Sequence, residues 1–389
     1  MNATTAYLDW NATAPIRPAA RSAMLEALAQ TGNPSSVHAR GRMARRIVEE
    51  ARAAVATLLG VDPRQVIFTS GGTEANALAL SPGWFSARDP APRDRLLVSA
   101  IEHASVLAGG RFPAEKRETV AAGPDGRVDL ADLSDRLRRG GRPLVSLMAA
   151  NNETGVVQPL REAASLVHEA GGLLHVDAVQ AAGRISLDLG TLGVDLLTIS
   201  SHKLGGPQGV GALVLQDESL HIAEPLLRGG GQERGYRAGT ENVAAIAGFG
   251  AAAAEARAQA EAERAHAAAL RGRLERGLKA IAPETVIFGE RVERLVNTTL
   301  FALAGLKAET ALIALDLEGV AVSSGAACSS GKVAPSHVLA AMGVPARLAR
   351  GAIRVSTGYA TTAEEIDRFL EAWRTCVRTL LKRQAEIAA

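Results

Sequence analysis

The 389-residue chain has only two cysteines, Cys328 and Cys376, which form neither a CxxC pair nor a Cys/His cluster. A disulfide framework and a structural zinc site are therefore not expected. Aromatic residues make up 3% of the chain, and no basic run carries aromatics between its charges, so nucleic acid is not an expected partner. No apolar run reaches the length of a membrane span, and the N-terminus "MNATTAYLDW" lacks the basic-then-apolar form of a signal peptide. These absences predict a cytoplasmic protein with no membrane partner.

The chain does contain enough apolar residues for a large core, with 47% hydrophobic residues and a formal net charge of +2. Between about residues 60 and 215, short apolar runs alternate with helical segments. The runs are "QVIFTS", "RLLVSA", "PLVSLMAA", "GLLHVDA", "DLLTIS" and "VGALVLQ". Such alternation predicts an α/β fold, with a largely parallel sheet and helices on both faces.

The rest of the chain has a different pattern. From Val243 to about Ile281 the sequence is rich in alanine, glutamate, arginine and leucine, which favour one long helix or two end to end. We interpret this segment as a connector. The last hundred residues mix strand-like runs, such as "AIRVST", with helical ones. The sequence thus predicts a large domain of residues 15–255, and a smaller α+β domain of residues 1–14 and 256–389.

In an open α/β sheet, ligands lie beyond the carboxyl ends of the strands, so the residues that follow each run are site candidates. After "VIFTS" comes "GGTEAN", whose glycines and threonine open a helix and suit a phosphate group. His103 follows "LLVSA", and Asn152 follows "SLMAA" in "NNETG". Each signal alone is weak, since a lone histidine is more often structural and paired asparagines are common in turns.

The next two runs deliver charged groups. Asp177 ends an apolar run in "LLHVDAVQ", where an unpaired carboxylate is costly. Lys203 follows "SSH" and precedes a glycine-rich turn. Together, the carboxyl ends of these five predicted strands provide a phosphate-binding turn, an imidazole, an amide, a carboxyl group and a lysine. Pyridoxal phosphate needs this set, because its aldehyde bonds to a lysine, its ring nitrogen needs an acid and its phosphate needs donors.

The chain resembles the pyridoxal-phosphate-dependent cysteine desulfurases, which have the aspartate-aminotransferase fold (fold type I), over nearly its whole length. The stretches that carry this resemblance are, in family order, "YLDWNATAP", "GNPSSVHARG", "FTSGGTEANALAL", "EHASVL", "NNETGVVQP", "HVDAVQAAG", "SSHKLGGPQGVGAL", "GGGQERGYRAGTENV", "SSGAACSSG" and "IRVSTG". The resemblance implies that the small domain carries the catalytic cysteine. The chain departs from the usual Ala-Thr-Thr-Pro at Ala14, which cannot make a contact through the second threonine's hydroxyl.

The resemblance assigns a role to each residue around the cofactor ring. Lys203 would bond covalently to the cofactor, and Asp177 would pair with the ring nitrogen. Gln180 would hydrogen-bond the ring hydroxyl, and Asn152 would lie beside the same oxygen. His103 would stack on the ring face and move protons.

It also assigns residues to the phosphate and to the substrate. The residues that would hold the phosphate are Gly72, Thr73, Ser200 and His202. Thr240 would reach the phosphate of the neighbouring subunit, which implies a homodimer. Arg354 would clamp the substrate carboxylate with its two-pronged donor geometry, helped by Asn33.

The two cysteines have different interpretations. Cys376 lies on a predicted apolar helix face and is expected to be a small core residue. Cys328 lies in "SSGAACSSGKVAP", which has no apolar periodicity and indicates an exposed loop where a thiol can react. The resemblance implies that Cys328 takes the sulfur of L-cysteine as a persulfide, leaving L-alanine, and passes it to an acceptor protein. It implies no intrinsic metal, and it leaves open a contact between Cys328 and a transferred iron–sulfur cluster.

Other functions stay open on the sequence alone. One is a selenocysteine lyase or another pyridoxal-phosphate-dependent β-lyase, although the Arg-x-Gly-His-His-Cys context usual in those lyases differs from "SSGAAC". Another is a non-catalytic sulfur carrier or scaffold, which the intact set of Lys203, Asp177, His103 and Cys328 disfavours. The use of the sulfur is also open, with "NNETG" and "GGGQERG" favouring iron–sulfur cluster assembly.

Overall fold

The computed structural model describes residues 5–86, 89–325 and 335–388, with side chains of the last helix described to residue 379. Within these residues the largest sheet has seven strands. In spatial order they are Val66–Thr69, Gly211–Leu215, Leu196–Ser200, Leu173–Asp177, Pro143–Met148, Arg95–Ser99 and Arg117–Val120. Gly211–Leu215 runs antiparallel to both neighbours, and the other neighbouring pairs are parallel. The predicted α/β fold with a mainly parallel sheet is confirmed.

Helices cover both faces of this sheet, which explains why its strands are continuous apolar runs. Successive side chains along a strand point to opposite faces. Phe68 and Leu97 therefore join the apolar cluster under the helix Ala39–Leu59, whereas Ile67 and Leu96 join a cluster on the other face. Side chains buried on both faces hold each strand in register, so the residues at the strand ends have set positions.

A second, antiparallel sheet lies in the C-terminal part of the described chain. Its strands, in spatial order, are Val286–Ile287, Thr298–Ala302, Ile353–Ser356 and Ser323–Ser324. Its core includes Phe301 and Trp373, whose rings meet edge to face with centroids 5.1 Å apart. Cys376 is buried in this core, as predicted, and burial raises the pKa of its thiol to about 11.

The alanine-rich segment forms one continuous helix, Val243–Ile281, which is one of the two arrangements predicted. Phe249 and Ala256 pack in the core of the large sheet, while Leu270 and Leu278 pack in the core of the second sheet. The helix passes residue 255 without a break. The domain boundaries derived from the sequence therefore stay a prediction.

The remaining elements surround these two cores. The other α-helices of the described residues are Pro18–Leu28, Ala39–Leu59, Gly72–Ala79, Ala104–Leu107, Leu130–Leu137, Leu160–Glu169, Leu189–Leu192, Ala308–Leu317, His337–Ala341, Ala346–Ala349 and Ala363–Ala388. Short 3₁₀ turns are Pro63–Gln65, Ala114–Lys116, Ser201–Lys203 and Gln232–Gly235, and two-residue strands pair Ala6–Tyr7 with Val320–Ala321 and Trp84–Phe85 with His221–Ile222. None of the helices in the described ranges is both long and apolar enough to cross a membrane.

Candidate active site

A cavity of about 360 Å³ lies at the carboxyl edge of the seven-stranded sheet. Because parallel strands end at the same edge, the residues that follow them meet there. The residues named from the sequence that line it are Gly72, Thr73, His103, Asn152, Asp177, Gln180, Ser200, His202, Lys203 and Arg354. The structure thus brings these ten residues together, while their individual roles stay predictions.

Asp177, at the end of its strand, is held by two hydrogen bonds. Asn76 Nδ2 donates to Asp177 Oδ2 over 2.8 Å, and the Val179 backbone N–H donates to Oδ1 over 2.9 Å. Asn76 in turn accepts a hydrogen bond from Thr198 Oγ1 over 2.6 Å. Both oxygens of Asp177 therefore accept hydrogen bonds, although the residue is only 6% exposed.

A neutral histidine lies behind this group. His175 is fully buried, with Ser146 Oγ at 2.8 Å from Nδ1 and Thr198 Oγ1 at 3.3 Å from Nε2. Burial lowers its pKa to about 3, so the imidazole carries no charge at neutral pH. The chain from Ser146 to Asn76 is therefore a hydrogen-bonded but uncharged support for Asp177.

Lys203 ends the 3₁₀ turn that follows the strand Leu196–Ser200. Its Nζ donates to the backbone oxygens of Asn11 (2.5 Å) and Ala12 (2.7 Å). The turn that follows Lys203 has no room for a side chain at residue 205. A Cβ on Gly205, which has φ +83°, would lie 2.8 Å from Arg17 Cγ. The turn therefore aims the lysine at the N-terminal segment along one wall of the cavity.

His103 is the N-cap of the short helix Ala104–Leu107. The Ser105 backbone N–H donates to His103 Nδ1 over 3.2 Å, and Ser105 Oγ lies 2.8 Å from the same nitrogen. Because Ser105 Oγ also accepts from Asn76 Nδ2 over 2.9 Å, its own proton goes to His103. Nδ1 is thus an acceptor, so the neutral ring carries its proton on Nε2.

At the other end of the cavity there is little room for a side chain at residue 72. A Cβ on Gly72, the first residue of its helix, would lie 3.0 Å from Val179 Cγ2 and 3.3 Å from Ser200 Cβ. His202 Nδ1 lies 3.1 Å from Thr13 Oγ1, and burial together with the charge of Lys203 lowers the pKa of His202 to about 4. These groups offer neutral donors and a helix N-terminus, which suit an anion.

Gln180 is oriented by an arginine that the sequence analysis missed. Arg184 Nη1 donates to Gln180 Oε1 over 2.5 Å and to Asn11 Oδ1 over 3.2 Å. Since Arg184 has only donors, the amide nitrogen of Gln180 must face the other way, where it donates to Asn11 O over 3.0 Å. Burial lowers the pKa of Arg184 to about 10, so the side chain stays charged at neutral pH.

Arg354 comes from the second sheet and is 2% exposed. Its Nη1 donates to the backbone oxygen of Asn152 over 2.9 Å, and its Nη2 to Asp9 Oδ1 over 2.7 Å. Its Nε is buried and has no hydrogen-bond partner within the described ranges. A buried donor of this kind is suited to an incoming acceptor, such as a carboxylate.

Two described residues named from the sequence, Asn33 and Thr240, are outside the cavity lining. Asn33 is exposed and outside the cavity lining, with its Oδ1 accepting from the Ser35 backbone N–H over 2.9 Å. Thr240 is exposed too, and its predicted contact is with a second subunit. Cys328 lies outside the described residues. Within the described residues, no group of three His, Cys, Asp or Glu side chains is arranged to hold a metal.

Asn11, Asn76 and Arg184 contact the predicted site residues but were not identified from the sequence. Asn76 had a usable signal, because it lies one helical turn after Gly72 and so shares a face with it. Asn11 lies within the quoted stretch "YLDWNATAP" but more than 160 residues before its partners Gln180 and Lys203. Only the packing of the N-terminal segment against the sheet brings these groups together.

Comparisons with known proteins identify the family of this chain. The family model described as aminotransferase class-V matches residues 6–369. A cysteine desulfurase of Cereibacter sphaeroides is 45% identical, with 94% of each chain covered. An IscS-like cysteine desulfurase of Mycobacterium tuberculosis is 39% identical over 99% of this chain and 98% of its own. The X-ray structure of a NifS-like protein from Rickettsia africae superposes with a TM-score of 0.85 at 35% identity, over 96% of this chain and all of that one. The chain therefore belongs to the class-V aminotransferase family and, within it, to the cysteine desulfurases.

Proposed function

We propose that this protein is a cysteine desulfurase that converts L-cysteine to L-alanine and takes up the sulfur as a persulfide on Cys328, using pyridoxal phosphate. The observation that carries the proposal is the meeting of Asp177, His103 and Lys203 in one cavity with the buried donor Arg354. The names of the relatives at 39–45% identity support the same activity.

The residues of the cavity fit pyridoxal phosphate. The neutral donors around Gly72 and His202 suit its phosphate, the hydrogen-bonded carboxylate of Asp177 suits its ring nitrogen, and Lys203 suits its aldehyde. Gln180, with its amide nitrogen turned by Arg184, is the donor for the ring hydroxyl. When bound, this cofactor accepts the electron pair released at the substrate's α-carbon.

Arg354 binds the substrate carboxylate in this proposal. Its two bonds to Asn152 and Asp9 hold the guanidinium plane, and its buried Nε is directed at no described acceptor. A substrate carboxylate would accept a hydrogen bond from that nitrogen. Without such an acceptor, a buried donor costs free energy. The arginine thereby orients the α-carbon of the substrate toward the groups that move protons.

Lys203 and His103 move those protons. Lys203 Nζ is held at the cavity wall by two backbone oxygens, and His103 presents the Nε2 proton because Ser105 occupies Nδ1. A positioned amine and a positioned imidazole can each take or give a proton at the α-carbon and its neighbour.

Cys328 is the sulfur acceptor of the proposed reaction. In the balanced net reaction, L-cysteine and the Cys328 thiol give L-alanine and a Cys328 persulfide, so one carbon–sulfur bond breaks and one sulfur–sulfur bond forms. The buried Cys376 cannot take this role, because burial raises the pKa of its thiol and disfavours the thiolate.

The partners belong to the same proposal. The protein acts as a homodimer in the cytoplasm, with Thr240 contributed to the neighbouring subunit's phosphate site. The persulfide passes to an acceptor protein, and iron–sulfur cluster assembly is the favoured use of that sulfur.

The test is to incubate the purified protein with L-cysteine and a reductant and to measure alanine and sulfide. We expect Lys203→Ala to lose the visible absorbance band of the lysine-bound cofactor and the activity. Cys328→Ala should keep the band but release little sulfide, while the matched variant Cys376→Ala should keep both. Full sulfide release by Cys328→Ala would indicate a different lyase, and a colourless wild-type protein that carries sulfur would indicate a carrier.

A further inference from the structure

Glu153 is a buried carboxyl group that the proposed reaction does not use. It follows Asn152 in the turn of residues 151–155 and is only 2% exposed. Its backbone N–H donates to Asn151 Oδ1 over 2.9 Å, which holds the turn. Glu153 is outside the lining of the cavity, so its burial needs another explanation.

One carboxylate oxygen of Glu153 contacts both ends of the cysteine segment, by which we mean residues 326–334, which lie outside the described residues. Ser336 Oγ donates to Glu153 Oε2 over 2.5 Å. At the other end, a Cβ on Gly325 would lie 2.6 Å from the same oxygen. A side chain at residue 325 would therefore displace the carboxylate, which lies against residues on both sides of the cysteine segment.

The hydrogen bond from Ser336 has a defined direction. The Leu339 backbone N–H donates to Ser336 Oγ over 3.0 Å and so begins the helix His337–Ala341. Because that oxygen is already an acceptor, its single proton is the one given to Glu153. The carboxylate therefore orients the residue that starts the helix after the cysteine segment.

The same region is tied to the cavity on two sides. Arg354, opposite Ser323 in the second sheet, donates to the backbone oxygen of Asn152, the neighbour of Glu153. His337 Nε2 donates to the backbone oxygen of Glu102 over 2.8 Å, next to His103. The two ends of the cysteine segment are thus placed relative to the residues that bind substrate and move protons.

We propose that Glu153 is a positioning residue: by holding Gly325 and Ser336, the described residues that flank the cysteine segment, it speeds the persulfide formation assigned to Cys328. This inference rests on the proposed function. Its physical basis is that a reacting group misplaced by about 1 Å can lose up to about 100-fold in rate.

The charge of Glu153 supports this role and gives it a pH dependence. Burial raises its pKa to about 7, against the opposing effects of the Ser336 hydrogen bond and the positive charge of Arg354. Ser336 and Gly325, the contacts at the segment ends, are uncharged. Above pH 7 the carboxylate accepts a charge-assisted hydrogen bond, which is stronger than the neutral bond present below it.

The test measures the first-turnover rate of persulfide formation on Cys328 at pH 6 and pH 8, in the holoenzyme. We expect Glu153→Gln, which keeps the shape and removes the charge, to lower that rate about tenfold at pH 8 and less than about twofold at pH 6. The KM for L-cysteine and the affinity for pyridoxal phosphate should stay within about twofold. Glu309→Gln is the matched control, because Glu309 is an exposed carboxyl beside the same segment ends.

A second pair of variants tests the contact itself. Ser336→Ala should lower the first-turnover rate at pH 8 as much as Glu153→Gln does, and Ser336→Thr, which keeps the hydroxyl, should have the wild-type rate. The double variant Glu153→Gln with Ser336→Ala should be little slower than either single variant. In the cofactor-free protein, amide hydrogen exchange over residues 335–342 should quicken in Glu153→Gln at pH 8. Equal first-turnover rates for wild type and Glu153→Gln at pH 8 would overturn the inference. So would a ratio of the wild-type rate to the Glu153→Gln rate that is the same at pH 6 and pH 8. A wild-type protein that forms no persulfide would instead count against the proposed function.

Discussion

At the scale of single residues, the site combines histidines that burial keeps neutral with an aspartate whose two oxygens both accept hydrogen bonds. His175 and His202 are neutral at pH 7 because charging either would cost desolvation without a carboxylate to compensate it. Asp177 instead has donors on both oxygens. These two bonds hold the Asp177 carboxyl group in one orientation at the cavity wall.

Glu102 is expected to be neutral for the same reason. It is fully buried and accepts a hydrogen bond from the Met148 backbone N–H over 2.6 Å, while its Oε2 has no partner within the described residues. Burial and the negative charge of Asp177 raise its pKa well above the ordinary 4.5. A raised carboxyl pKa means that the unfolded state loses its proton first, so the stability contributed by the protonated form falls as pH rises.

We therefore expect Glu102→Gln to gain stability relative to wild type as pH rises above about 4.5, by up to about 1.4 kcal/mol per pH unit. Urea midpoints measured for both proteins at pH 5, 6, 7 and 8 would show this slope. Only the change with pH tests the prediction. The part of the difference in unfolding free energy that does not depend on pH also contains the desolvation cost of the new amide. A difference that does not change with pH would show that Glu102 is ionised in the folded protein.

At the scale of elements, the most strained part of the described chain is the turn Gln232–Gly235. Glu233 and Arg234 both have positive φ, 46° and 55°, which is unfavourable for residues with a Cβ. Arg52 of the helix Ala39–Leu59 compensates this cost with two bonds to the Glu233 carboxylate, at 2.7 and 2.8 Å. The Phe68 backbone N–H donates to the same carboxylate over 2.9 Å. The turn is thus attached to the edge strand of the large sheet, a few residues before Thr240.

Glu233→Ala should destabilise the protein by about 3 kcal/mol, because it removes the buried carboxylate that pairs with two nitrogens of the Arg52 guanidinium. The half-exposed Glu49 still bonds Arg52 Nε over 3.1 Å, which keeps the loss at the low end of the cost of breaking a buried ion pair. The measurement is the shift of the urea midpoint by circular dichroism. Glu50→Ala is the control: Glu50 pairs with Arg46 on the same helix, but both side chains are more than 60% exposed. Its effect should be within about 1 kcal/mol, and equal effects for the two variants would contradict the assignment of the buried pair.

At the scale of the whole molecule, the site forms where two cores and the N-terminal segment meet. Asp177 and Lys203 come from the large sheet, and Arg354 comes from the second sheet. Asn11 joins them, since its backbone oxygen accepts from Lys203 and its Nδ2 donates to Thr298 Oγ1 over 2.9 Å. The helix Val243–Ile281, about 58 Å long at 1.5 Å per residue, is shared by both cores and so limits their relative movement.

The proposed homodimer makes a prediction at this scale. Thr240→Ala should weaken pyridoxal phosphate binding about 10-fold to 100-fold, the effect of losing one hydrogen bond to a charged group. Mixed dimers with Lys203→Ala should regain one tight site per dimer, because that partner supplies an intact Thr240. Absorbance titration of co-expressed, differently tagged subunits measures this. A lack of recovery in the mixed dimers would rule out the contribution of Thr240 across the interface.

Much of the fold could be predicted because its signals are local. The six apolar runs became strands of one sheet with ends within one or two residues of the runs, and the alanine-rich segment became a helix with the predicted limits. His103, Asn152, Asp177 and Lys203 could be named because each lies at or just after the end of a strand of the large sheet. Arg354, within a strand of the second sheet, was named only from the family resemblance. Asp9 and Glu153 could not be named, since their partners Arg354 and Ser336 lie 345 and 183 residues away.

By itself, the order of residues determined which segments are helix or strand, which side chains follow the strands and which family the chain resembles. These properties depend on periodicity and on short motifs, which neighbouring residues define. The tertiary structure alone decided that Lys203 bonds to the backbone oxygens of Asn11 and Ala12, and that Arg184 orients the amide of Gln180. It also decided that one oxygen of Glu153 lies against the residues on both sides of the cysteine segment. Periodicity reports which face of an element is buried, but the partner across that face depends on how distant elements pack.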